Sequence, residues 1–362
     1  MAITRIGSPA IADVREPNFR NIIINGDMSI AQRGTSVSSI TGADYYTVDR
    51  WQIYMANSGT YTQSQSTDVP SGQGFAKSLK MDCTTAAASP IAGAQLYLRT
   101  KFEGQNLQYL KYGTSSAESM TLSFWVKCNK ATTASIQLQD HDNSKMVTKS
   151  YTINSANTWE KKTITFNGNT SNSFTNDANL SLDVRWWLES GSDFTSGTPS
   201  GDWEANDNTK RNNNNLALSS STSNEFYITG VQLEAGSVAT DFEFLPVDMN
   251  LQRCQRYYFQ HTSGSGKTVG LGAFYTTTSV DSVIYFPVEM RSAPSIVATS
   301  GSSYYTIYVA GAGRAIDGSV SVNRVNKQST QFYAEAASDT AGRAGLWTTT
   351  NSSASIAFNS EL

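Results

Sequence analysis

Apolar and polar residues alternate along many short segments of this chain, and this pattern constrains its fold most. The clearest segment is Asn179–Leu188, which has the period of two expected of a strand with one buried face. Its apolar positions are Leu180, Leu182, Val184, Trp186 and Leu188. Such a face has to be buried against a second layer, and no segment of residues 21–246 sustains a helical period. The sequence therefore predicts an all-β chain that begins with a two-sheet sandwich.

A boundary between two folding units is predicted near Pro246. The segment Phe226–Pro246 begins as an alternating strand and continues as an extended exit. Beyond it, apolar spacings of three and four predict a short helix within Asn250–Gln260, and strands then resume. We therefore divide the chain into an N-terminal arm (residues 1–20), a first β-sandwich (21–246), a junction with the short helix (247–260) and a smaller C-terminal β-sandwich (261–362).

A long polar stretch, residues 189–225, interrupts the strands of the first unit. It contains Asn212–Asn215 and Ser219–Ser223 and is too polar to pack alone and too long for a tight turn. We expect it to form a loop at one rim of the sandwich. Trp203 lies in its middle and either packs back on the sandwich or meets a ligand.

Composition excludes several classes of function. The formal net charge is −3, whereas a nucleic-acid-binding protein needs a basic face to neutralise phosphates. We find no apolar run of the length that membrane insertion needs and no signal peptide, so synthesis in a cytoplasm is expected. Cys83, Cys128 and Cys254 are scattered and form neither a disulfide framework nor a zinc motif.

Catalytic chemistry is difficult to assemble from these residues. The two histidines, His141 and His261, have no neighbouring serine or cysteine in a triad-like arrangement. We therefore expect no enzyme activity and no cofactor. A glycan hydrolase needs only two carboxylates across a cleft, which sequence alone does not exclude, so it stays a weaker alternative.

The strand faces opposite the core carry residues suited to binding a sugar. Tryptophan stacks on the apolar face of a pyranose, and planar polar side chains take its hydroxyl groups. The strands concerned are Asn179–Leu188, Thr121–Lys127 and Ser135–Asp140. The candidate carbohydrate-binding residues are Trp187, Arg185, Asp183, Trp125, Gln137 and Gln139. The alternative is that the two tryptophans are packed beneath a loop, a neighbouring subunit or the second sheet.

Several motifs, taken in order, resemble a known family. They are Asn21–Gly34, Leu122–Lys127, Trp159–Phe166, Tyr227–Glu234 and Gln252–Tyr258. The first unit resembles the jelly-roll fold of carbohydrate-binding modules, and the whole order resembles bacteriophage tail-fibre and virion appendage proteins. The resemblance implies a virion protein, a homotrimer, that attaches to host surface glycan and meets other virion proteins through its N-terminal arm. A purely structural appendage subunit without glycan binding is the main alternative.

The resemblance also bears on calcium. Many jelly-roll modules hold a structural calcium ion partly through an acidic residue just before their last strand. Thr229 and Gly230 stand at that place in this chain. Only Asp27 and main-chain carbonyls would remain as oxygen ligands.

Overall fold

The computed structural model describes residues 19–362, so residues 1–18 of the predicted arm lie outside the described residues. The first unit is a sandwich of two six-stranded antiparallel sheets. Its strands are β1 (Ser36–Ile40), β2 (Gln52–Ala56), β3 (Thr60–Ser66), β4 (Ser78–Thr85), β5 (Gln95–Glu103), β6 (Met120–Cys128), β7 (Thr132–Asp140), β8 (Lys145–Ile153), β9 (Glu160–Phe166), β10 (Leu180–Ser190), β11 (Glu204–Ala205) and β12 (Glu225–Ala235).

The two sheets pack their apolar faces together. The first sheet has the strand order β1-β3-β4-β12-β6-β9 and the second β11-β8-β7-β10-β5-β2. Trp186 of β10 lies at the centre of the core. The centroid of its ring is 5.3 Å from that of Trp51 and 5.8 Å from that of Phe124. All three side chains have no exposed area, as expected for inward positions of alternating strands.

The predicted junction helix is present, but it begins and ends earlier than expected. Helix α1 spans Val247–Gln255 instead of lying within Asn250–Gln260. It starts directly after Pro246, whose carbonyl accepts the Asn250 N–H at 3.0 Å. It stops because Tyr258 joins a strand and pairs with Asn359, an alternative that aromatic residues favour.

The second unit is smaller and again β-rich. Its strands are β13 (Tyr258–Ser263), β14 (Thr268–Phe274), β15 (Ser279–Tyr285), β16 (Ser295–Ala298), β17 (Tyr305–Val309), β18 (Ala312–Ile316), β19 (Ser321–Asn323), β20 (Ser329–Glu335), β21 (Ala344–Thr349) and β22 (Ser355–Asn359). They form a three-stranded sheet, β13-β22-β16, and a seven-stranded sheet, β18-β17-β21-β14-β15-β20-β19. An apolar cluster separate from that of the first unit fills it. The predicted fold class, a jelly-roll-like sandwich followed by a smaller β-sandwich, is confirmed.

The polar stretch 189–225 does not project from a rim, which corrects the sequence-based expectation. It folds back across the outer face of the second sheet. Asn206 accepts a hydrogen bond from Gln139 at 2.7 Å, and the Asn214 amide donates to Ser150 at 2.7 Å. The asparagine-rich composition thus supplies side-chain hydrogen bonds to strand residues that would otherwise face water. Trp203 packs back on the sandwich and donates its indole N–H to the Asn167 carbonyl at 2.8 Å.

Buried polar contacts join the two units. Glu103, at the end of β5, accepts hydrogen bonds from the Arg256 guanidinium at 2.7 and 2.8 Å. Arg50 forms a close ion pair with Glu361. The central carbon of its guanidinium lies 3.5 Å from the centroid of the Tyr257 ring. Because these charges are shielded from water, the contacts fix how the units meet. No helix within residues 19–362 is long and apolar enough to cross a membrane.

Candidate functional site

Five of the six predicted site residues lie together on the outer face of the second sheet. Asp183, Arg185 and Trp187 follow one another on that side of β10. On the neighbouring strand β7, Gln139 is paired with Asp183 and Gln137 with Arg185. The alternation of the two strands therefore does place these residues side by side, as predicted.

The structure nevertheless buries this group. Trp187 has no exposed area, and its ring centroid lies 4.8 Å from that of Tyr97 and 5.6 Å from that of Phe194. Its indole N–H donates to the Gln137 side chain at 3.0 Å. Phe194 comes from the polar stretch that folds over the sheet. The expectation that Trp187 offers an exposed ring to a sugar is therefore corrected, and the alternative of a tryptophan packed beneath a loop holds.

The charged members of the group interact with one another. Arg185 donates to both carboxylate oxygens of Asp183 at 2.8 and 3.0 Å, and Arg99 and His141 lie 3.3 and 3.2 Å from the same carboxylate. Burial alone would raise the pKa of Asp183, but Arg185 and His141 lower it, and the net pKa lies well below the usual range. Asp183 is thus a carboxylate that holds its neighbours in place.

Trp125 lies elsewhere, on the outer face of the first sheet. It belongs to β6, pairs with Thr229 of β12 and is half-buried. Its ring lines a cleft of about 410 Å³, and this volume is within the range of small-ligand sites. We call this cavity the Trp125 cleft. The five other candidate residues lie on the opposite sheet and do not line it.

Three phenylalanines form the aromatic wall of the Trp125 cleft. Phe75 lies 5.1 Å from Phe242 and 5.1 Å from Phe244, and the last two are 4.9 Å apart, measured between ring centroids. Phe244 is 51% exposed, so part of this wall is open to solvent. Ring pairs in tilted and edge-on contact attract one another, and they already form this wall without a ligand.

A bulge in β12 makes room for this wall. The pairing of β12 with β6 shifts register between Thr229 and Gln232, and Gly230 within the shift has φ +59°. A Cβ atom on Gly230 would lie 2.5 Å from the Phe75 ring. Glycine is therefore required here for its left-handed backbone and for the close approach of the phenylalanine.

Polar groups of different kinds complete the lining. Lys161 of β9 is paired directly with Trp125 of β6. Ser123 lies on β6, two residues before Trp125. Asp241 and Gln73 contribute a carboxylate and an amide from loops. The cleft thus combines aromatic faces with hydrogen-bond donors and acceptors, the combination that orients a polar ring-shaped ligand.

Sequence reasoning missed the phenylalanines of this cleft. Phe75 lies in a Gly-rich segment and Phe242 and Phe244 in the extended exit, where no strand period marks a face. The available signal was the alternation of Phe242 and Phe244 just after the last strand of the sandwich.

At the place where the resemblance implies a calcium ion, the oxygen atoms take part in hydrogen bonds within the protein. The Thr229 hydroxyl donates to the Lys77 carbonyl at 2.7 Å and lies 3.4 Å from the Asp27 carbonyl. The Asp27 carboxylate accepts hydrogen bonds from Asn250 and Ser29, both at 3.1 Å. Within residues 19–362, no three His, Cys, Asp or Glu side chains cluster as metal ligands.

The sequence matches no known protein-family model and no curated protein. Among solved structures it is similar to the enzymatically active domain of tailspike protein 4 from bacteriophage CBA120, with 15% identity and a TM-score of 0.35. That match covers 60% of this chain and 22% of the tailspike chain.

Two further similar structures are single modules. A putative sugar binding protein from Bacteroides thetaiotaomicron has 12% identity and a TM-score of 0.31, over 59% of this chain and 99% of that one. A family 11 carbohydrate-binding module from Clostridium thermocellum, in complex with a mixed-linked tetrasaccharide, has 11% identity and a TM-score of 0.27, over 57% and 97%. These similarities are low, so the site is assigned from the geometry of this chain alone.

Proposed function

We propose that this protein binds glycans through the Trp125 cleft and acts as a virion appendage that attaches to host surface glycan. The observation that carries the proposal is the half-buried Trp125 ring in a cleft with a phenylalanine wall and polar groups at its edge. Trp125 is one of the candidate residues named from the sequence. Of the six candidates, it is the one that lines an open cleft of ligand size among the cavities described by residues 19–362.

The cleft would hold a sugar by two kinds of contact. The apolar face of a pyranose stacks on an aromatic ring, which removes both surfaces from water. Hydroxyl groups at the ring edge then reach Ser123, Lys161 and Asp241, which provide both donors and acceptors. Because the three rings already contact one another without a ligand, the wall does not have to be assembled when the sugar binds.

Replacing Trp125 with alanine should weaken glycan binding by about 30-fold, the loss expected when a central tryptophan is removed from a binding site. A glycan array probed with purified wild-type protein first identifies the ligand, and titration calorimetry then compares the variant. Trp159→Ala is the matched control, because Trp159 is also half-buried but bonds to Asp68 outside the cleft. Equal affinity of Trp125→Ala and wild type would contradict the proposed site.

The carboxylate content of the cleft supports a binding protein over the weaker alternative of a glycan hydrolase. Asp241 is the single carboxylate among the described residues that line it. Glycoside hydrolysis generally needs two carboxyl groups on opposite sides of the scissile bond. We therefore propose that the glycan is bound and not cleaved.

An apolar face on the second unit supports self-association, and we propose that copies of this chain form the homotrimer implied by the resemblance. Tyr308, Leu346 and Leu271 are paired directly across β17, β21 and β14, and Val283 comes next because Gly272 is paired with Ser282. Their exposed fractions are 48, 41, 77 and 56%. We call this row the apolar stripe. It carries no charge, so copies that meet there bring no like charges together.

Replacing Leu271 with aspartate should convert a trimer to monomers, because each copy would then bury a charge in the interface. Light scattering coupled to size exclusion measures the mass, with Thr277→Asp on an exposed turn outside the stripe as the control. A wild-type protein of monomeric mass, 39.3 kDa, would contradict this proposal and leave the glycan site unaffected.

A further inference from the structure

A second large cavity lies between the two units. It has a volume of about 560 Å³. Its walls come from the first sandwich, for example Tyr109 and Lys101, from α1 and the residues after it, for example Arg253, and from the second unit, for example Lys327. We call it the interdomain cleft. It shares no residue with the Trp125 cleft.

Positive charge dominates the interdomain cleft. Among the described residues that line it, five carry cationic side chains and one carries a carboxylate, Glu289. The cations are Arg50, Lys101, Arg253, Arg256 and Lys327. Arg50 and Arg256 are already neutralised by Glu361 and Glu103, and Lys327 lies 3.6 Å from Glu289 near the surface.

Lys101 and Arg253 complete the set. The Lys101 ammonium bonds to the main-chain oxygen of Leu362 and lies 5.6 Å from the centre of the Tyr45 ring, and neither of these two partners lines the cleft. Arg253 has no Asp or Glu carboxylate within 4.0 Å among residues 19–362 and donates to the main-chain oxygen of Asn21 at 3.2 Å. A carbonyl oxygen solvates a cation without neutralising it, so the charge of Arg253 remains uncompensated in the cleft.

Burial also lowers the pKa of Arg253. An anion in the cleft would counter this shift, because a nearby negative charge favours the protonated form of the guanidinium.

The remaining lining suits more than a bare inorganic ion. Tyr109 and Phe19 are 45% and 47% exposed and offer aromatic faces. Gln105 and Asn106 contribute amides that both donate and accept hydrogen bonds. The volume also falls within the range of small-molecule sites. Aromatic faces, amides and an unpaired cation together fit a sugar with an acidic substituent.

We propose that the interdomain cleft binds a sugar residue that carries a carboxylate, with Arg253 providing the charge that recognises it. The ring of the sugar packs near Tyr109, and its hydroxyl groups reach Gln105 and Asn106. This site is additional to the Trp125 cleft and does not depend on it. The protein then has two glycan-contacting sites, of which this one selects for negative charge.

Methyl glucuronide, methyl glucoside and inorganic sulfate test the proposal on the intact wild-type chain. The two sugars differ at the carboxylate, so we expect calorimetry to show at least tenfold tighter binding of the glucuronide. Sulfate should bind more weakly than the glucuronide, because it lacks the sugar ring. Equal binding of both sugars would overturn the proposal, and so would sulfate binding as tightly as the glucuronide.

Variants then locate the binding. Arg253→Gln should weaken glucuronide binding at least tenfold, while Arg253→Lys, which keeps the charge, should lose less. Lys111→Gln is the control, because Lys111 is an exposed cation paired with Glu118 outside the cleft. Trp125→Ala should leave glucuronide binding unchanged, so this site and the Trp125 cleft can fail independently. Unchanged affinity of a folded Arg253→Gln variant would overturn the assignment.

Discussion

Replacing Trp187 with alanine should lower the free energy of unfolding by about 3–5 kcal/mol, the usual loss for a buried aromatic side chain. The ring has no exposed area, contacts Tyr97 and Phe194, and donates to Gln137. The substitution therefore leaves a cavity and an unpaired amide under the polar stretch. Urea unfolding monitored by circular dichroism measures the effect.

Trp125→Ala is the matched comparison for Trp187→Ala. Its half-buried ring removes less apolar area from water, so we expect less than half the loss of stability. The two variants should thus separate stability from binding, since Trp187→Ala unfolds more easily and Trp125→Ala loses glycan. A stable Trp187→Ala variant with lost glycan binding would show that Trp187 meets the ligand after all.

Replacing Glu103 with alanine should cost about 3 kcal/mol, because it leaves the partly buried Arg256 and the buried Tyr257 hydroxyl without their acceptor. Glu103 is fully buried and accepts hydrogen bonds from Arg256, Tyr257 and Gln105. Since Arg256 follows the junction helix, the loss should fall on the contact between the units. We expect the urea transition to split in two, with Lys111→Gln, at an exposed ion pair, as the unaffected control. A single transition at the wild-type midpoint would contradict this role.

The same carboxylate should make stability depend on pH. Burial alone would raise the pKa of Glu103, but hydrogen bonds from Arg256 and Tyr257 lower it below its ordinary value. A carboxyl group with a lowered pKa in the folded state stabilises the protein above its unfolded pKa of about 4.3, and this stabilisation is lost as pH falls through the folded value. Wild type should therefore lose more stability than Glu103→Gln between pH 6 and pH 3. Parallel losses would argue against the contact.

Alternation alone predicts which way most side chains point in the strands. It places Trp186 inward and Trp187 outward, and the structure agrees. It does not reveal what covers an outer face. That outcome depends on Phe194, one of the few apolar residues in a polar stretch, and a period-two pattern carries no information about such long-range contacts.

Pairings between distant residues are equally hidden from the sequence. Arg50 and Glu361 are 311 positions apart, yet they meet between the units. The Trp125 cleft likewise depends on Phe75, which is far from Trp125 in sequence, and on a bulge whose presence Gly230 only hints at. Local patterns specify strands and faces, whereas clefts arise from how loops close over them.

The indole N–H resonances of the tryptophans test the central assignment most directly. A two-dimensional ¹⁵N spectrum of the intact protein, recorded while the glycan found on the array is added, reports each indole separately. We expect the Trp125 resonance, assigned from its absence in Trp125→Ala, to shift with saturation while the Trp187 resonance stays in place. A shift of Trp187 with no change at Trp125 would contradict the assignment of the glycan site.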